Sequence, residues 1–371
     1  MTSDRPGRRM VQTVLNFGQD QKQAAVRYPS IRKPDPDEMA ALESDSNRME
    51  DVQPTQSTAI SWESTLAPTS RSGSFPGNYM PASIPRHQTL IHVARETTAL
   101  LPNILSAVPH APAKGYLYTD PPYLDQKYSP RFPRTPIRIL NSDTLDTAIG
   151  LAQCAKYVTV RDKRPVCVLN MANAYNAGGG WKRGALAQEE AICYRSSLSF
   201  TLKLRYYPIP ELSAIYSPTV LVIRKSLEDG HELLPLDMPA NLPIVSAISV
   251  AALCAPKVTM GPAPPGSKES QRQKYRNPKD RELTKEKMRV VLRTAAVNGH
   301  RRLVLGALGC GAFKNPREEV ADCWAEVFGE QEFAGGWWES VLFAVMDDLG
   351  QGENGDGNYG VFYRRLNGMM V

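Results

Sequence analysis

The run Val166-Cys-Val-Leu-Asn-Met171 is apolar on almost every residue, and it leads into a loop built on Gly178-Gly179-Gly180. A strand with one face in water alternates in polarity. A strand apolar on successive residues has both faces covered, as in parallel sheets flanked by helices. The same order returns further on. Leu303-Val-Leu-Gly-Ala307 precedes a second glycine-rich loop, Leu308–Lys314, and Ser340-Val-Leu-Phe-Ala-Val-Met346 is another central run. Ile137–Leu140, Val220–Ile223 and Ile244–Ile248 read as further strands. Helical patterns lie between them. Ser142 and Asp143 can cap a helix to about Lys156; others span Ala185 to Leu202 and, as a basic amphipathic helix, Leu283 to Asn298. Pro316 opens one at its favoured first position, running to about Phe328. Leu90–Leu105 also carries apolar residues at helical spacing. Residues 112–136 read as a Pro- and Tyr-rich connection, Gly350–Asn358 as a loop and Tyr359–Leu366 as an edge strand. Alternating strands and helices predict an α/β, three-layer fold. In such sheets ligands sit beyond the strand C-terminal ends, where both glycine loops fall.

Residues 1–88 differ in kind. They are rich in Pro, Ser, Thr, Gln and charge and lack sustained periodicity, which predicts a disordered arm ahead of one domain over 89–371. Within the arm, Gln12-Thr-Val-Leu15-Asn-Phe17 loosely resembles a docking peptide for the DNA sliding clamp, one residue short in spacing and without the second aromatic. No run approaches the length of a membrane-spanning helix, and the first residues lack the apolar stretch of a secretory signal. No membrane partner is expected.

The six cysteines are Cys154, Cys167, Cys193, Cys254, Cys310 and Cys323. None forms a Cys-x-x-Cys pair or stands at metal-ligand spacing from a histidine. They read as buried thiols of a reducing compartment, nuclear or cytoplasmic. The five histidines form no ligand cluster, so neither a catalytic metal nor another cofactor is expected. Net charge is +6 over the whole sequence, and residues 257–289 hold ten Lys/Arg against four Asp/Glu. Such a segment reads first as a solvated loop feeding a helix, and it also suits weak contact with nucleic acid or a polyanionic polymer.

Two constellations carry chemistry. The first is Asn170-Met-Ala-Asn173-Ala-Tyr-Asn-Ala-Gly178-Gly179-Gly180, continuing through Gln188-Glu189-Glu190. Glycines let backbone pass close to a ligand, and a loop entering a helix offers N–H groups to phosphate or ribose oxygens. Adjacent helical residues point about 100° apart, so Glu189 and Glu190 cannot share one task. A general acid needs a raised pKa, which burial or the neighbouring carboxylate supplies. The second is Gly309-Cys310-Gly311-Ala312-Phe313, whose N–H groups suit a diphosphate and whose Phe313 offers an apolar wall. Neither loop fits the P-loop or the Rossmann fingerprint.

Taken together, Gly-Gly-Gly, seven residues and then Gln-Glu-Glu resemble the poly(ADP-ribose) glycohydrolases, and the wider match is to their microbial type. Asn170–Ala174, Ala187–Cys193, Ile215–Pro218, Val304–Phe313 and Phe343–Asp347 support it in order. Asn176-Ala177 replaces a usual proline, Lys314–Arg317 has one proline where a pair is usual, and loop 208–243 is long. The resemblance implies a macrodomain with a mixed sheet and ADP-ribose or poly(ADP-ribose) on modified proteins as ligand. It implies Glu190 as general acid and base, Glu189 holding ribose hydroxyls, and Asn173 on the terminal ribose. Gly178–Gly180 and Gln188 would shape that pocket; Gly309, Cys310, Gly311 and Ala312 would wrap the diphosphate, with Phe313 packed on the ligand. A reader that binds ADP-ribose without cleaving it, and a hydrolase of single ADP-ribose units, remain alternatives.

Overall fold

The apolar runs form the inner strands of a single seven-stranded sheet. The structure, a computed structural model, describes residues 86–152, 164–262 and 271–371. In chain order the strands of this sheet are β1 (Tyr116–Thr119), β2 (Arg138–Leu140), β3 (Cys167–Met171), β4 (Ser213–Leu221) and β5 (Ile244–Val250). After a separate hairpin of β6 (Val258–Pro262) and β7 (Gln271–Tyr275) come β8 (Arg302–Leu305) and β9 (Ser340–Ala344). The order across the sheet is β1-β4-β5-β3-β8-β9-β2. β5, β3, β8, β9 and β2 run parallel, whereas β4 is antiparallel to both β1 and β5. The sheet is therefore mixed, with its parallel part in the middle and at one edge.

Seven helices complete the described chain: α1 (Arg86–Ala107), α2 (Thr144–Ala152), α3 (Gln188–Arg195), α4 (Leu198–Thr201), α5 (Pro278–Val297), α6 (Arg317–Phe328) and α7 (Asn358–Leu366). They cover both faces, which explains the uninterrupted apolar runs. Along a strand successive side chains point to opposite faces. Cys167, Leu169, Leu303 and Leu305 pack with Met288, Val291 and Trp324 of α5 and α6. Their neighbours Val168 and Val304 pack with Leu90, Leu145 and Ile192 on the other side. The three-layer expectation holds.

Several local expectations need correction. Tyr359–Leu366 is helix α7, not an edge strand: Val361, Phe362 and Leu366 are buried at helical spacing, and Tyr359 packs near Tyr363 one turn on. The predicted helix Ala185–Leu202 starts later, at Gln188, and breaks after Arg195. Ser196 adopts extended backbone and bridges to Val222, and Ser197 Oγ accepts from Leu221 N–H, so these serines serve the sheet instead of the helix. Pro316 is the N-cap of α6 and not its first helical residue. β1 lies inside the supposed connection 112–136, and hairpin β6–β7 lies where only a basic loop was expected. Asp143 does cap α2, accepting from Leu145 N–H and Asp146 N–H. Cys254 is exposed and Cys310 half-buried; Cys167, Cys193 and Cys323 are buried free thiols. Cys154, the end of the helix predicted to Lys156, the arm up to residue 85 and its Gln12–Phe17 patch lie outside the described residues. No described helix is long and apolar enough to cross a membrane.

Candidate active site

The parallel strands end on one side of the sheet, and a cavity of about 880 Å³ opens there. Its walls come from the segment after β2 (Asn141–Thr144), the end of β3 (Met171–Asn173), the first turns of α3, the second glycine loop, the end of β9 and residues 226–231. The size suits a nucleotide-sized ligand. Of the twelve candidate residues, eight line it: Asn173, Gln188, Glu189, Glu190, Gly309, Gly311, Ala312 and Phe313.

Both glutamates are held by backbone. Ala187, the N-cap of α3, has only a methyl group and cannot cap the helix with its side chain. Glu190, three residues on, reaches back instead: its Oε2 accepts from Ala187 N–H at 3.1 Å, and its Oε1 accepts from Gly180 N–H at 2.9 Å. Glu189 turns the other way. Its Oε2 accepts from Asn173 N–H at 2.7 Å and its Oε1 from the Asn170 amide at 3.2 Å. The two carboxyls thus take separate anchors, as the 100° step between helical neighbours requires. Glu189 is 3% exposed and Glu190 9%.

Burial pushes the Glu189 carboxyl up from its ordinary 4.5 to about 8; the bond from Asn173 N–H opposes this and the adjacent Glu190 adds to it. The folded protein therefore binds a proton at Glu189 that the unfolded chain releases near pH 4.5. Stability from this site is full below that pH and falls as pH rises towards 8. The loss is of the order of a few kcal/mol, reduced by whatever water enters the cavity. We expect the melting temperature of the wild type to decline from pH 5 to pH 8 more than that of Glu189→Gln. Parallel curves would show that the site does not hold this proton.

Gly178–Gly180 do not line the cavity; they lie behind Glu190. Gly178 and Gly179 have positive φ (75° and 63°). A Cβ on Gly179 would fall 2.2 Å from Glu190 Oε1. The triplet therefore shapes the pocket indirectly, by letting a carboxylate sit against bare backbone. Gln188 is also fully engaged: it donates to Thr144 Oγ1 and Leu169 O and accepts from Met171 N–H, joining the start of α3 to β3. Asn173 Oδ1 accepts from Tyr175 and Asn176 N–H, which leaves its amide nitrogen for a ligand.

In the second loop the Cys310 thiol turns towards Leu308 O, and Cys310 is not among the residues on the cavity wall. Among the described residues, the N–H groups of Gly311, Ala312 and Phe313 take no backbone partner, which makes them a ready anion cradle. Space beside Gly311 is open. Asn315 braces the loop from below: Nδ2 donates to Leu253 O and Gly309 O, and Oδ1 accepts from Tyr275 OH. Removing these bonds in Asn315→Ala should cost about 1–3 kcal/mol through buried carbonyls left unpaired. It should also weaken nucleotide binding more than it slows turnover, which calorimetry and steady-state kinetics on the variant would check.

Some wall residues were not singled out in the sequence. Arg195, 1% exposed, pairs with Asp143 and Asp146 and so ties α3 to the start of α2. His231 is buried with φ of 56°, and neither ring nitrogen has a hydrogen-bond partner among the described residues. Burial, then Arg195, lowers its pKa and keeps the ring neutral. Asn141–Asp143 could have been found from the strand-end rule, since they follow a predicted strand. His231 lies in a loop without any local signal. No described group of His, Cys, Asp and Glu is placed to hold a metal ion.

Residues 102–225 match the family described as microbial-type PARG, catalytic domain. Over that third of its length the chain is similar to the microbial-type PARG catalytic domain. The solved poly(ADP-ribose) glycohydrolase of Thermomonospora curvata is 25% identical, with a TM-score of 0.56, over 75% of this chain and 99% of that one. The same enzyme bound to the inhibitor ADP-HPD is similar at 26% identity and a TM-score of 0.54, with the same coverage. The Deinococcus radiodurans enzyme in complex with ADP-ribose gives 26% identity and a TM-score of 0.51, over 71% of this chain and 97% of that one. No curated protein matches the sequence at a significant level. Both glutamates and Gly178–Gly180 fall inside the PARG match, whereas the second glycine loop lies beyond it.

Proposed function

We propose that this domain hydrolyses the ribose–ribose O-glycosidic bonds of poly(ADP-ribose) and releases ADP-ribose, with residues 89–371 as the catalytic unit and α1 extending it back to Arg86. The observation that carries the proposal is the acid pair at the start of α3, facing a cavity whose other wall is an unpaired run of N–H groups. The diphosphate would lie on Gly309, Gly311 and Ala312, with Phe313 against the ligand. The distal ribose would then lie at Asn173 and the glutamates. Burial keeps a proton on the Glu189 carboxyl up to about pH 8. Glu190, anchored by two N–H groups and more open to the cavity, delivers a proton to the leaving ribose oxygen. As a carboxylate it then activates water. Glu189 holds ribose hydroxyls. The oxocarbenium-like transition state gains from the nearby carboxylate and from the substrate's own diphosphate.

A pure ADP-ribose reader would not need two buried carboxyls, so their presence favours the enzyme. The chain is incubated with purified poly(ADP-ribose) and, separately, with protein carrying single ADP-ribose units. Free ADP-ribose from the polymer supports the proposal. Release from the single-unit substrate alone would make the domain a mono(ADP-ribosyl) hydrolase, and binding without release would make it a reader. The free buried thiols Cys167, Cys193 and Cys323 support an intracellular site of action, nuclear or cytoplasmic.

A further inference from the structure

The segment 257–289 is divided by the fold. Arg272 pairs with Glu319 and Asp322, Arg281 with Glu319 and Glu326, and Arg289 with Glu282, Glu286 and Glu330. These charges are spent within the protein, on acids of α5, α6 and the residues just after α6. Lys257, Lys274, Arg276 and Lys279 are different: they form no ion pair among the described residues, and neither does Lys314 of the second glycine loop. In hairpin β6–β7, Thr259 stands opposite Lys274, Val258 opposite Tyr275, and Arg276 N–H donates to Lys257 O at 2.8 Å. That register sets Lys257 across from Arg276. Like charges directly opposite on a ladder are destabilising. Lys279 sits in the first turn of α5, where the helix dipole also disfavours a cation. Free cations in positions that cost stability point to an anionic partner.

The hairpin is joined to the cavity wall. Ala255 N–H donates to Phe313 O at 2.9 Å, and Tyr275 OH donates to Asn315 Oδ1 at 2.9 Å. β6 also leaves Val258 and Met260 exposed at 40% and 56%. Successive side chains alternate between faces, so Lys257, Lys274 and Arg276 share one face of the hairpin and Val258 and Met260 the other; the cations are grouped where a phosphate-bearing polymer can meet them together.

We propose that hairpin β6–β7 is a second binding surface for poly(ADP-ribose), which holds the diphosphates of units adjoining the one in the cavity. The inference rests on the glycohydrolase reading, since the cavity fixes one unit and continuity with its Phe313 wall brings the next to Lys257, Lys274 and Arg276. The test uses the full chain with Glu190→Gln, which is expected to slow turnover roughly 10²–10⁴-fold, with and without the triple change Lys257→Ser, Lys274→Ser, Arg276→Ser. Affinity is measured for size-fractionated poly(ADP-ribose) and for monomeric ADP-ribose at two salt concentrations. The triple change should weaken polymer binding roughly tenfold at low salt and flatten its salt dependence, each lost phosphate contact removing about one unit of slope. Monomer affinity should stay within about twofold, which also shows that the domain is folded. The conservative set Lys257→Arg, Lys274→Arg, Arg276→Lys should keep polymer binding. Equal polymer affinity with and without the triple change overturns the proposal. So does a DNA duplex that displaces the polymer as well as free polymer does. Hydrolysis by the wild type is followed alongside: polymer bound through the hairpin but not cleaved would remove the catalytic reading and leave this surface standing.

Discussion

Replacing Glu190 by Gln is expected to lower turnover of poly(ADP-ribose) by roughly 10²–10⁴-fold, the usual worth of a positioned acid–base group. ADP-ribose affinity should change little. Gln fills the same space and its oxygen can still accept from either Gly180 N–H or Ala187 N–H, the two donors that hold Glu190. The other donor loses its partner, at a local cost of about 1–3 kcal/mol. No other part of the cavity needs to move. What the amide cannot do is give a proton to the leaving oxygen or take one from water. A variant within threefold of wild type in turnover would remove Glu190 from the chemistry.

Gly179→Ala should be nearly as damaging, although residue 179 does not line the cavity. The added Cβ would lie 2.2 Å from Glu190 Oε1 and 3.0 Å from its carboxyl carbon. Backbone there has φ of 63°, so alanine also brings strain of about 1–2 kcal/mol. A free surface glutamate would swing aside at little cost. This one is held on both oxygens, so yielding to the methyl group means giving up its bond to Gly180. A displacement near 1 Å at a reacting group can cost about 10²-fold in rate. We expect a folded protein, with a melting temperature only modestly reduced, that binds ADP-ribose and turns over polymer about a hundredfold more slowly. Unchanged kinetics would mean that the triplet does not set the position of the acid.

The parallel core was legible because residues such as Cys167, Val168 and Leu169 must all be buried, and only helices on both faces achieve that. Of the candidate site, the cavity wall was legible where it follows a strand end, at Asn173 after β3 and in the second glycine loop after β8, and at the Gln188-Glu189-Glu190 turn. What could not be read was how neighbours share work. Gly178–Gly180 resemble a ligand-facing loop in sequence, but which side of a loop meets the ligand depends on where α3 docks. Gln188 looks available in a linear string and is consumed by Thr144, Leu169 and Met171, all distant in sequence. Arg195 and His231 gave no local signal because their partners lie on other elements. The same holds for the basic segment, where acids of α6, 30 or more residues further on, decide which cations stay free. α7 was misread because eight or nine residues rich in aromatic and β-branched side chains fit a strand as well as a helix, and only burial separates the two.

The most direct measurement is a crystal structure of Glu190→Gln with ADP-ribose bound. It should show the diphosphate on the N–H groups of Gly311 and Ala312, the distal ribose at Asn173, and the amide of residue 190 within hydrogen-bond reach of the oxygen on the anomeric carbon. A ligand seated elsewhere, or a residue 190 turned to solvent and away from that carbon, would contradict the account.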